Sequence, residues 1–92
     1  MTEQEITQGT ITVIAQNSNY SYQNIDELYN PPDKDVNLDT FISAGMKSRL
    51  AKELQRQFRC IGVWECTQLT NDLFGSITTL GALIRRIKTY CP

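Results

Sequence analysis

Met46, Leu50, Ala51, Leu54 and Phe58 recur at i, i+4, i+5, i+8 and i+12, the spacing of one apolar stripe on an α-helix. Lys47, Arg49, Lys52, Glu53 and Arg56 occupy the rest of that helix's surface. A stripe of this kind cannot bury itself, so it commits the chain to packing helix on helix. A second stripe answers it. Leu80, Leu83, Ile84, Ile87 and Cys91 form an apolar face after Thr78, the predicted N-cap, with Arg85, Arg86 and Lys88 towards the C-terminal end.

The rest of the chain is less clearly patterned. Ile6, Val13 and Ile14 fall at helical spacing, but Thr10-Ile11-Thr12-Val13-Ile14 is β-branched and has the local propensity of a strand. Residues 17–40 are rich in Asn, Ser, Tyr, Pro and Asp, and Pro31-Pro32 forbids regular helix there. They read as a long connection, with one short helical turn at Ile25, Leu28 and Tyr29. Residues 59–69 read as a loop returning over the core, with Ile61, Val63, Trp64 and Leu69 as its apolar bulk. Leu73 and Phe74 read as a short helix ended by Gly75. With 92 residues there is room for one domain and one modest core. The expected fold is all-α: an antiparallel bundle of three main helices and a short one, with a long first loop.

Composition excludes several functions. The chain has no histidine, so no serine can be activated by an imidazole. Cys60, Cys66 and Cys91 lack the paired spacing of a zinc site and read as small apolar residues in or near a reduced core. Asp26, Glu27, Asp33 and Asp35 read as solvated loop acids, and an autonomous enzyme is not expected. No apolar run approaches the ~20 residues of a membrane span. The first residues lack the basic and apolar regions of a signal peptide, so a cytoplasmic location is expected. For Tyr20, Tyr22, Tyr29 and Trp64 the expected role is packing or loop surface.

Charge is segregated. Residues 1–40 hold Glu3, Glu5, Asp26, Glu27, Asp33, Asp35 and Asp39 against Lys34 alone. Residues 41–92 hold eight bases against Glu53, Glu65 and Asp72. Either the two halves complement each other on folding, or one of them marks a partner surface. A small helical nucleic-acid binder is the competing class, and a pI near 5.2 argues against it.

Phe41-Ile42-Ser43-Ala44-Gly45-Met46-Lys47-Ser48-Arg49-Leu50-Ala51 resembles the attachment motif of carrier proteins. This family comprises acyl and peptidyl carriers and the carrier domains of polyketide and nonribosomal peptide synthetases. Against the pattern Phe-Phe-x-x-Gly-Gly-x-Ser-Leu-Leu-Ala of peptidyl carriers, Phe41, Gly45, Ser48, Leu50, Ala51 and the later Leu54 match in register. Ile42 is a conservative replacement. Leu73-Phe74 followed by Thr78-Thr79-Leu80 and Leu83 resembles the family's final helix, so the likeness covers about residues 38–90. Residues 1–17 share only the topology. Met46, Lys47 and Arg49 depart from the usual glycine, from the usual Asp or His, and from the usual Leu or Ile.

The resemblance implies a twisted four-helix bundle whose serine, here Ser48, carries 4′-phosphopantetheine, with Lys47 and Arg49 as variant flanks. Cations in a first helical turn oppose the dipole by ~0.3–1 kcal/mol each, a cost that a phosphate on Ser48 would offset. The resemblance further implies a non-catalytic carrier that holds acyl, aminoacyl or peptidyl groups as thioesters. A phosphopantetheinyl transferase would load the arm, and adenylation, condensation, ketosynthase or acyltransferase enzymes would use it. The second helix would be the partner surface, through Met46, Lys52 and Arg56. Its basic character, with Lys47, Arg49, Lys52 and Arg56 outward, fits a polyketide or nonribosomal peptide pathway better than fatty-acid synthesis. The chain reads as a discrete, monomeric carrier acting in trans, with neither nucleic acid nor membrane as partner. A degenerate carrier serving only for docking is the alternative.

Overall fold

The computed structural model describes residues 1–18 and 34–92. The expected turn at Ile25, Leu28 and Tyr29 lies outside these residues, as do Tyr20, Tyr22, Asp26, Glu27 and Asp33. Among the described residues there are four α-helices: α1 (Glu3–Asn17), α2 (Lys47–Gln57), α3 (Val63–Leu73) and α4 (Leu80–Tyr90). Two 3₁₀ turns, Leu38–Thr40 and Ala44–Met46, lead into α2. The expected all-α four-helix bundle is present, and α1 packs against both α2 and α4 while α3 packs against α2.

In α1 the helical spacing prevails over β-branched propensity. A capping box starts it: the Thr2 hydroxyl accepts from Glu5 N–H, and the Glu5 carboxylate accepts from Thr2 N–H. Ile6, Ile11, Val13 and Ile14 are all buried, and burial of each such side chain contributes ~1.5–3 kcal/mol, more than its deficit in helix propensity. Close approach of α1 to α2 requires Gly9, because a Cβ there would stand 2.7 Å from Cζ of buried Phe58.

α2 and α4 bury the predicted stripes: Leu50, Ala51, Leu54 and Phe58 from one, Leu80, Leu83, Ile84 and Ile87 from the other. The cap of α4 is Thr79 rather than Thr78. The Thr79 hydroxyl accepts from Ala82 N–H, while the Thr78 carbonyl accepts from Leu38 N–H. The segment around residues 34–38 completes this cap, its Val36 and Lys34 carbonyls accepting from Leu80 and Gly81 N–H. In this way the chain ahead of α2 is anchored across the start of α4.

Two expectations are corrected. Residues 59–69 are not a loop, because α3 starts at Val63 and runs as long as α2 and α4. Its buried face is Cys66, Leu69 and Leu73, whereas Val63 and Trp64 are 80% and 74% exposed. Those two point outward and so conceal the period. The cysteines are also not all reduced. Cys60 and Cys91 form a disulfide across 31 residues, with Cα atoms 5.4 Å apart, because the ends of α2 and α4 meet at one pole. Cys66 alone fits the expectation, being a free, buried thiol.

Candidate functional site

The approach to Ser48 is rigidly built. Asn37 caps the first 3₁₀ turn by accepting from Asp39 N–H, and the Leu38 carbonyl accepts from both Phe41 and Ile42 N–H. Ile42 is buried and anchors the segment to the core. Ser43 starts the second turn, its carbonyl accepting from Met46 N–H, and that turn runs directly into α2. Ser48 is therefore the second residue of a helix whose direction is fixed by both the core and the preceding segment.

The Ser48 side chain is exposed and lies on an open face of α2. Gly45, Ser48, Arg49, Lys52, Glu53, Gln55 and Arg56 make up this face. Ser48, Lys52 and Arg56 form one ridge at i, i+4 and i+8, which at 1.5 Å per residue extends ~12 Å along the helix. Arg56 pairs with Glu53 at 3.5 Å. Among the described residues Arg49 and Lys52 have no acidic partner within ion-pair distance. Gly45 has open space where a Cβ would stand, so folding imposes no steric demand for glycine there. No side chain caps α2, and its first turn carries no acid.

The other two predicted residues are placed differently. Lys47 does not face outward: its side chain is only 14% exposed, with Nζ 3.0 Å from an Asp39 carboxylate oxygen and 5.6 Å from the centroid of the Phe74 ring. Burying its stem beside an aromatic ring while neutralising its charge is more favourable than extending beside three other cations. Met46 is half-buried against the core and lies at the margin of the exposed face. The structure thus gathers Ser48, Arg49, Lys52 and Arg56 on one helix face and withdraws Lys47 from it.

Asp39 and Phe74 are the site residues that periodicity could not reveal, since neither shares an element with Lys47. Lys47–Asp39 also joins the acidic and basic halves of the chain. The other described ion pairs, Lys34–Glu3, Arg56–Glu53 and Arg86–Asp72, lie within one half or the other. Lys88 adds a weaker cross-half attraction to Glu3, and among the described residues Arg49 and Lys52 are the bases of α2 outside any ion pair.

Among the described residues no group of acids and cysteines is arranged to hold a metal ion, and no helix is long and apolar enough to cross a membrane. No family model, no curated protein and no solved structure matches the chain.

Proposed function

We propose that the chain is a discrete acyl or peptidyl carrier whose Ser48 is the attachment point of a 4′-phosphopantetheine arm. The observation that carries this reading is an exposed serine in the first turn of α2, beside Arg49 and at one end of a face that also carries Lys52 and Arg56. These residues fit the group. Helix N-termini favour phosphates, and Arg49 and Lys52, which pair with no acid among the described residues, would answer a phosphodiester's charge. When bound, the arm supplies a thiol that holds cargo as a thioester. The chain's part is to present Ser48 on a rigid, core-anchored helix start and to leave space around it, with Gly45 giving a loading enzyme close access. Tethering then raises the cargo's effective concentration at partner active sites.

A phosphopantetheinyl transferase and the adenylation, condensation, ketosynthase or acyltransferase enzymes of a polyketide or nonribosomal peptide pathway are the partners in this reading. The carrier is taken as a monomer, for which the sequence alone leads to a cytoplasmic location. The Cys60–Cys91 bridge weighs against that location, because cytosolic thiols are generally kept reduced. A second reading, a carrier-like docking module without the arm, draws on Lys47. Its inward engagement with Asp39 and Phe74 replaces the Asp or His flank of loaded carriers with a structural contact.

Incubation with coenzyme A and a broad-specificity phosphopantetheinyl transferase tests the choice. Wild-type chain should gain the mass of one phosphopantetheine, and Ser48→Ala should gain none. Failure of both the wild type and a Lys47→Asp/Arg49→Leu variant to gain mass would favour the docking module.

A further inference from the structure

The two cysteines of the Cys60–Cys91 bridge stand in opposite environments. Cys60 is exposed at the tip of a tight turn, closed by Ile61 N–H donating to the Phe58 carbonyl at 3.0 Å. Phe58 and Ile61 are buried, so the turn is seated in the core at both ends and presents Cys60 to solvent. Cys91 is buried instead, its N–H donating to the Ile87 carbonyl at the end of α4. The Tyr90 hydroxyl, donating to a Gln68 side-chain oxygen at 2.9 Å, ties the same end to α3. Each cysteine is therefore positioned by contacts that do not depend on the S–S bond, and the opened pair stays within reach of reclosing.

From this difference we infer that Cys60–Cys91 is a reversible redox pair, in which Cys60 Sγ exchanges with external thiols and Cys91 is the resolving thiol. A thiolate attacks the sulfur it can reach. To open the bridge, one thiolate of a dithiol reductant attacks Cys60 Sγ. The S–S bond breaks, its electron pair leaves on Cys91 Sγ, which takes up a proton, and Cys60 is left as a mixed disulfide. The reductant's second thiolate then attacks its first sulfur, releasing Cys60 as a thiol and the reductant as a cyclic disulfide. Two electrons have passed to the bridge. Closing needs a disulfide oxidant: Cys60 takes the mixed disulfide and Cys91 displaces it. Arg59, exposed and adjacent in sequence, adds positive charge to the turn that an incoming thiolate meets. Cys66 takes no part, being buried with its S–H donated to the Ala51 carbonyl. The switch acts on the C-terminal end of α4, which the closed bridge fastens to the segment after α2.

The test incubates the folded full chain with reduced glutathione, quenches in acid, alkylates free thiols and maps the peptides by mass. Glutathione should be found on Cys60 and the alkyl label on Cys91. Glutathione mainly on Cys91, or opening no faster than the bundle unfolds in the same buffer, would overturn the proposal. Dithiothreitol should then open the bridge with helical content retained, and oxidised glutathione should reclose Cys60–Cys91 with Cys66 left free. Loss of the helices, or reclosure onto Cys66, would also overturn it. Finally, Cys60 in a Cys91→Ser chain should react with an aromatic disulfide reagent about tenfold or more faster than Cys91 in a Cys60→Ser chain. Both variants lack the same bridge, so the ratio reports access to each sulfur, and equal rates would contradict the assigned roles.

Discussion

The Lys47 ammonium lies 3.0 Å from an Asp39 carboxylate oxygen and 5.6 Å from the centroid of the Phe74 ring, linking the segment before α2, the start of α2 and the end of α3. Asp39 is two-thirds exposed, so water screens the ion pair and the cation–π contact contributes a comparable amount. A double-mutant cycle over Lys47→Ala and Phe74→Leu should give a coupling of ~0.5–1 kcal/mol in chemical denaturation. Additive effects would show that Lys47 does not use the ring.

The Cys60–Cys91 bridge closes a long loop and fastens the C-terminal end of α4 to the segment after α2. Constraining the unfolded chain in this way stabilises by ~3–4 kcal/mol, so reduction should lower Tm by about 15 °C or more. Thermal unfolding with and without reductant, beside a Cys60→Ser/Cys91→Ser variant, checks the size. Equal Tm values would show that the bridge contributes nothing to stability.

Thr10 is fully buried in α1, and among the described residues its hydroxyl oxygen has no hydrogen-bond partner. Thr10→Val keeps the shape and removes the unsatisfied group, and should raise the unfolding free energy by ~1–2 kcal/mol. A lower denaturation midpoint would mean that the hydroxyl has a partner after all.

Two carboxyls at the start of α1 titrate below their ordinary value of 4.5. For Glu3 the main cause is a hydrogen bond from Lys34, aided by the charges of Lys34 and Lys88. For Glu5 it is hydrogen bonding from the Thr2 backbone and then the Thr2 hydroxyl. Depressed folded-state values mean that the unfolded chain takes up protons first as pH falls. The stabilisation is present above pH 4.5 and is lost as pH falls through the lower folded values. Glu5→Gln retains the capping geometry without the titration, so its stability should decline less steeply below pH 4.5 than the wild type's. Parallel curves would contradict the assignment.

Legibility in the sequence followed how completely each helix hides one face. In α2 and α4 the apolar residues keep strict spacing because each helix lies on the core, so both elements and most of their buried residues could be read directly. In α1 the β-branched run concealed the helix until the burial of Ile6, Ile11 and Ile14 decided it. In α3 the signal was inverted, since exposed Val63 and Trp64 are among its most apolar residues while part of its buried face is Cys66. Ser48, Arg49, Lys52 and Arg56 were each legible as surface positions of one helix because they fall outside its apolar stripe, though not as a single face. The inward turn of Lys47 was not, because Asp39 and Phe74 reach it only through tertiary packing. The Cys60–Cys91 pairing was hidden for the same reason.

The central claim, that Ser48 carries the arm, is tested most directly by the intact mass of the chain isolated from the cells that naturally make it. The account predicts a mass greater by one phosphopantetheine and, in a Ser48→Ala strain, the mass of the bare polypeptide. A bare polypeptide in the wild type, from cells shown to load other carriers, would contradict it.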